Sequence, residues 1–236
     1  MSKRLFPFIF LALSAAFAQD PVTVNPSIAK VVFENDRVRV LRIHYGPHQK
    51  LALHEHPAKV AVCLNQFHNH RLAPDGTASE GTCPAGTVSW REPEKHAVEN
   101  LDDAPADTLE VELKYAHGPA IALPAASPAA PPAEPMNVEL EPRHHFVFQN
   151  QYVRVLDVQI PPGDTTLYHT HSHDSVFLRL SDSQTQSQSP GGEWSETRIS
   201  KFGEVRFDDN AAHLLTHRAK NVGTTLVHII AVELLP

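Results

Sequence analysis

Two His-X-His triplets, His54-Glu55-His56 and His169-Thr170-His171, are the residues of this chain best placed to do chemistry. In an extended strand, residues i and i+2 project from one face, roughly 7 Å apart along the chain. Two imidazoles so placed can share a divalent cation, and a third from a neighbouring strand completes a facial set. Such a set leaves positions open to a small substrate, water or dioxygen, which is the arrangement needed for Lewis-acid or redox chemistry. The chain has 16 histidines and only 2 cysteines, so imidazole is the ligand to follow. No Gly-rich phosphate loop, Gly-X-Ser-X-Gly elbow or His-Glu-X-X-His motif competes with this reading.

The sequence offers a third imidazole for each triplet, His96 for the first and His217 for the second, each followed four positions on by an asparagine, Asn100 and Asn221. Spare histidines surround the second triplet. His173 shares the face of His169 and His171 if the strand runs on, and His213 rivals His217 because Gly203 to His213 repeats the spacing from Gly86 to His96. His217 is preferred, because the block after it aligns with the block after His96 without a gap. A further His68-Asn69-His70 triplet aligns with Gln184-Thr185-Gln186 just before a turn, and reads as an exposed hairpin strand.

The elements that position these residues occur twice. VVFENDRVRVLRI (31 to 43) matches FVFQNQYVRVLDV (146 to 158), the Pro74-Asp75-Gly76 turn matches Pro190-Gly191-Gly192, and HAVENLDD (96 to 103) matches HRAKNVGT (217 to 224), all in one order. The chain is duplicated, with one domain over 22–116 and another over 136–236. Between them, 117–135 is rich in Pro and Ala and is expected to be an extended linker that joins no sheet. Within each copy the apolar runs are short, alternating and punctuated by Gly, Pro and Asp, which predicts an all-β barrel or sandwich. Arg39 and Arg154 recur, as do Glu112 and Glu233. Since Leu109, Val111 and Leu113 are expected to face the barrel core, the glutamates are expected on outer faces or between domains, paired with the arginines.

On these residues the chain resembles the cupin superfamily, as a two-domain bicupin. Gly163, five residues, then His169-Thr170-His171, closing with His217 and Asn221, fit the family pattern in the second copy. His54-Glu55-His56 with His96 and Asn100 fit it in the first, where His48 stands in the glycine's place. The resemblance implies two tandem double-stranded β-helix jelly rolls with the histidines facing inward. The family's glutamate ligand is missing: Ser175 holds its place in the second copy and Lys59, or Val60, in the first. An inward Lys59 would repel a cation, whereas an outward one would leave three histidines. The better metal site is therefore expected at His169, His171 and His217, with His54, His56 and His96 as the doubtful one.

The cofactor implied is a divalent metal (iron, manganese or zinc), and the activity implied is a dioxygenase-like oxidoreductase on a small organic molecule. A non-catalytic cupin binding a small ligand or a metal is the alternative. Catalytic residues are not assigned, but Tyr168, Asp174, Ser175 and Lys59 are candidate pocket residues. A net charge of −7 gives no reason to expect nucleic acid as a partner, and self-association is left open. Lys3 and Arg4, the apolar run Leu5 to Leu13 and Ala16-Phe17-Ala18 read as a signal peptide over 1–18, placing the mature protein in the periplasm or outside the cell with no membrane anchor. In that compartment Cys63 and Cys83 are free either to pair or to remain two buried thiols.

Overall fold

In the computed structural model the residues described are 20–127 and 133–236, so the expected signal peptide lies outside them. The first copy contributes β1 (Ala29–Glu34), β2 (Val38–Tyr45), β3 (Lys50–His56), β4 (Lys59–Cys63), β5 (Phe67–Leu72), β6 (Ala78–Cys83), β7 (Val88–Arg91), β8 (Glu94–Asn100) and β9 (Ala106–Leu113). The large sheet runs β1-β2-β9-β4-β7 and the small one β3-β8-β5-β6. The second copy begins with the two-residue strands β10 (Ala122–Leu123) and β11 (Met136–Asn137), then β12 (His144–Asn150), β13 (Val153–Ile160), β14 (His169–His171) and β15 (Ser175–Arg179). It closes with β16 (Ser183–Gln188), β17 (Arg198–Ser200), β18 (Val205–Asp208), β19 (Leu215–Asn221) and β20 (Val227–Leu234). Its sheets run β10-β12-β13-β20-β15-β18 and β11-β14-β19-β16-β17. Each copy is thus a two-sheet jelly roll, and the non-sequential neighbours are its crossovers.

The stretch read as a linker does join a sheet. β10 pairs with β12 through Ala122↔Asn150 and Leu123↔Gln149, as an edge strand that needs bonds on one side only. Asn100 and Asn221 brace the loops after their strands. Asn221 donates from Nδ2 to the carbonyls of Ile160 and Thr225, and Asn100 donates to those of Gly46 and Ala104. The turn glycine Gly163 has φ +79°, and His48 at the same place in the first copy has φ +52°.

The barrels stack through their large sheets. Val38, Val40, Val60, Val62, Leu109, Val111 and Leu113 form one buried cluster with Val153, Val155, Val176, Leu178, Ile230, Val232 and Leu234. Phe33 of the first copy stacks on Phe207 of the second at 5.3 Å, and Arg37 reaches across to Asp174 at 3.1 Å. This layer corrects the expected outward facing of Glu112. Leu109, Val111 and Leu113 do face a core, but it is the core between the barrels. The intervening residues therefore point into their own barrel, and Glu112 and Glu233 are each only 1% exposed. Arg39 and Arg154 do pair with them, at 2.6 and 2.5 Å.

A shared core couples the two barrels, so Leu178→Ala is expected to cost about 2 to 5 kcal/mol. Calorimetry should show one unfolding transition moved as a whole, and a shift confined to one of two separate transitions would contradict the shared core. Because a left-handed φ disfavours a side chain, His48→Gly should raise stability by up to about 1 kcal/mol in urea titration.

Candidate metal centre

β14 runs antiparallel to β19 with His169 opposite His217, which puts His169, His171 and His217 on one inner face. Their ring centroids are 4.9 Å (His169 to His171), 4.7 Å (His169 to His217) and 5.2 Å (His171 to His217) apart. A fourth imidazole, His144 at the start of β12, stands 4.6 Å from His169 and 6.0 Å from His171. His144, His169 and His171 are buried and offer ligand nitrogens all within 4.8 Å of one another.

The hydrogen bonds on the far side of these rings suit a metal. His169 Nδ1 meets the Leu167 carbonyl at 2.8 Å, and His144 Nδ1 meets Glu141 Oε2 at 2.6 Å. A proton on Nδ1 directed at such acceptors leaves Nε2 with its lone pair facing inward. His217 Nδ1 contacts Ser187 Oγ at 2.8 Å, and its buried Nε2 has no partner. His169 Nε2 and His171 Nε2 are 3.1 Å apart. Burial, with the neighbouring His144, pushes His169 down to about 3 and His217 down to about 4, and burial also drives His171 well below the usual imidazole range. Neutral imidazole is the ligating form.

These four histidines line a cavity of about 340 Å³ whose wall also includes Val158, Ile160, Phe177, Val227 and Ile229. The Phe177 ring lies edge-on to His171, 5.9 Å away.

The first barrel has the equivalent triad in different surroundings. His54, His56 and His96 are buried, with centroid separations of 4.8, 4.6 and 5.5 Å. His54 Nδ1 meets the Ala52 carbonyl at 2.7 Å and His56 Nδ1 meets Glu112 Oε1 at 2.6 Å, leaving both Nε2 atoms without a partner. The nearest partner of His96 Nδ1, however, is Arg71 Nη2 at 3.0 Å. Glu94 Oε2 lies 3.4 Å from the same nitrogen, so His96 Nδ1 faces a donor and an acceptor at once, unlike the other two rings. Lys59 points inward, 1% exposed, but its charge is met by Glu110 at 2.8 Å and Glu94 at 3.5 Å. Burial alone would raise Glu110, yet Lys59 and His56 hold it down at about 2.

The other candidate residues lie apart from the second triad. β14 ends at His171, which leaves His173 in the turn before β15, and the His213 side chain is 78% exposed and bonded to Asp209. Asp174 is taken by Arg37 of the first barrel, and the Ser175 hydroxyl donates to the His173 carbonyl. Tyr168 lies under the Arg218 guanidinium, 4.8 Å from its ring, outside the cavity lining. His68 and His70 sit half-buried on β5, within the hairpin with β6, away from either triad. Cys63 and Cys83 form a disulfide with Cα atoms 6.4 Å apart.

His144 escaped the sequence reading. The His144-His145 doublet is its only signal, and the repeat conceals it, because the matching residue of the first copy is Ala29.

No protein-family model matches this sequence, and no curated protein matches it. Among solved structures, AerE from Microcystis aeruginosa is similar over 89% of this chain and 98% of its own, with 13% identity and a TM-score of 0.59. The oxalate decarboxylase formate complex of Lactobacillus farciminis is similar over 89% of this chain and 85% of its own, with 15% identity and a TM-score of 0.54. A cupin domain from Bordetella pertussis Tohama I shares 26% identity over 37% of this chain and 92% of its own, with a TM-score of 0.35. The first two similarities are of fold and extend across both jelly rolls, and each barrel holds a histidine triad that can accept a metal ion. This chain has the fold of those two structures, two jelly-roll barrels in tandem.

Proposed function

We propose that this protein is an exported, metal-dependent oxidoreductase of the cupin type, with one divalent metal in the second barrel and a small organic substrate beside it. The observation that carries this reading is the convergence of His144, His169 and His171, with the His217 ring 4.7 Å from His169, on the wall of a cavity large enough for a small molecule. His169, His171 and His217 would be ligands and His144 a fourth donor. A bound metal would supply Lewis-acid or one-electron chemistry to substrate and dioxygen. The protein's own groups do the positioning: the Leu167 carbonyl, Glu141 and Ser187 fix three of the rings, and Val158, Ile160, Phe177, Val227 and Ile229 exclude water.

The first barrel is read as a scaffold, since the Arg71 guanidinium stands against His96 and Lys59, Glu94 and Glu110 fill the space beside the triad. The Cys63–Cys83 disulfide supports an oxidising compartment, as export would provide.

Metal analysis after chelator-free purification is expected to find about one metal per chain, lost in His169→Ala and retained in His54→Ala. A wild-type content under about 0.2 per chain would rule out metal in both barrels. Oxygen uptake with a panel of phenols and thiols should follow the metal content. Bound metal without turnover of any substrate would favour a binding module, a reading that gains some weight from the all-imidazole donor set.

A further inference from the structure

Three arginines line the cavity of the second barrel, and only one of them lacks a counter-charge. Arg206 is held by Asp208 through two hydrogen bonds of 2.6 Å, and Arg198 by Glu204 at 2.5 Å. Arg179, at the end of β15, is 6% exposed, and its Nε and Nη1 atoms are buried without a hydrogen-bond partner. A buried guanidinium left unpaired is costly, so the fold holds open a place for an anion.

The position of Arg179 defines what else that anion must carry. Along β15, alternate residues Ser175, Phe177 and Arg179 face inward, while Val176 and Leu178 belong to the layer between the barrels. Phe177 touches His171, and Arg179 lies two residues further on, roughly 7 Å along the same face. On one side of Arg179 the wall is hydrocarbon: it pairs with Ile229, which in turn pairs with Val158, with Val227 and Ile160 beside them, while the Arg206–Asp208 and Arg198–Glu204 pairs stand on the other. A ligand spanning the cavity therefore meets imidazoles, an apolar wall on one side, and one cation, Arg179, that no carboxylate pairs, beside two that are paired.

The first barrel shows that this is a feature of one copy. Cys63 pairs with Thr108 in the register that Arg179 shares with Ile229, so Cys63 stands in the place of Arg179 and is tied there to Cys83. Where the disulfide closes one barrel, a charged donor opens into the other.

We propose that Arg179 is the anion-binding residue of the second barrel, and that the cavity takes a small carboxylate with a hydrocarbon body, its charged end on Arg179 and its other end toward the histidines. This rests on the reading of the second barrel as the ligand site, and it names the substrate class that site would take.

The test is calorimetric titration of the full-length, metal-analysed protein with hexanoate and benzoate, set against hexanamide, benzamide and sulfate. The carboxylates should bind saturably, the amides at least about 10-fold more weakly, and Arg179→Met should weaken carboxylate binding by about 10- to 100-fold while metal content is unchanged. Arg179→Lys, which keeps the charge, should retain part of the affinity. Amides binding as well as acids, sulfate binding as tightly as hexanoate, or Arg179→Met binding carboxylates normally would overturn the proposal. If Arg179→Met does not fold, the comparison of acid with amide on the wild-type protein decides. Arg179-dependent carboxylate binding by a protein without metal would sink the metal reading alone, and metal-loaded protein that ignores the carboxylates would sink the anion site alone.

Discussion

Val60, Val62, Val111 and Leu113 of one barrel meet Val155, Val176, Leu178 and Val232 of the other in one dry layer. A strand shows its side chains alternately to two faces, so giving one face of each large sheet to this layer commits the other to the barrel interiors. The polar members of the alternation then have nowhere to go but inward. Arg39, Glu112, Lys59 and Glu110 are interior residues of the first barrel for this reason, as are Arg154, Glu233, Ser175 and Arg179 of the second. Buried charge is tolerable only when paired or bound, and most of these groups are paired.

Duplication has left a common frame and divided the chemistry. In both copies a His-X-His strand lies beside a strand carrying a third histidine, and an interior Arg–Glu pair stands on the large sheet. In the first copy that glutamate also receives the Nδ1 of His56. The equivalent atoms of the second, His171 Nδ1 and Glu233 Oε1, are both buried and unpartnered. Glu110 and Ala61 of the first barrel correspond in register to Ala231 and Phe177 of the second. At these two positions a charged, hydrogen-bonded interior gives way to apolar side chains that leave room for a ligand. The same fold holds a salt-bridged interior on one side and a cavity on the other.

Burial holds His169, His171 and His217 below the usual imidazole range, because a charge on any of them would be desolvated and repelled by its neighbours. A carbonyl on His169 Nδ1 and a carboxylate on His144 Nδ1 turn the other ring edges toward a common point. Rigid strands on both sides fix that point more tightly than loops would.

Strand periodicity and the internal repeat are enough to expect an all-β chain in two copies and to bring forward His54, His56, His96 and His169, His171, His217 as candidate sets, with His213 the weaker rival. These are local properties: a two-residue period places side chains on a face, and a repeated block marks equivalent strands whatever surrounds them. Other features depended on what packs against what. Glu112 and Glu233 point inward because a second sheet covers the opposite face, which no alternation within one strand reveals. His144 joins the cluster because β12 passes beside β14 in space, although the repeat offers only Ala29 as its counterpart. The pairing of Cys63 with Cys83 was left open by their spacing and decided by the approach of β4 to the end of β6. Arg179 reads in the sequence as an ordinary charged residue at a strand end. Only the folded barrel, with Asp208 and Glu204 already engaged by Arg206 and Arg198, leaves it as the unpaired cation.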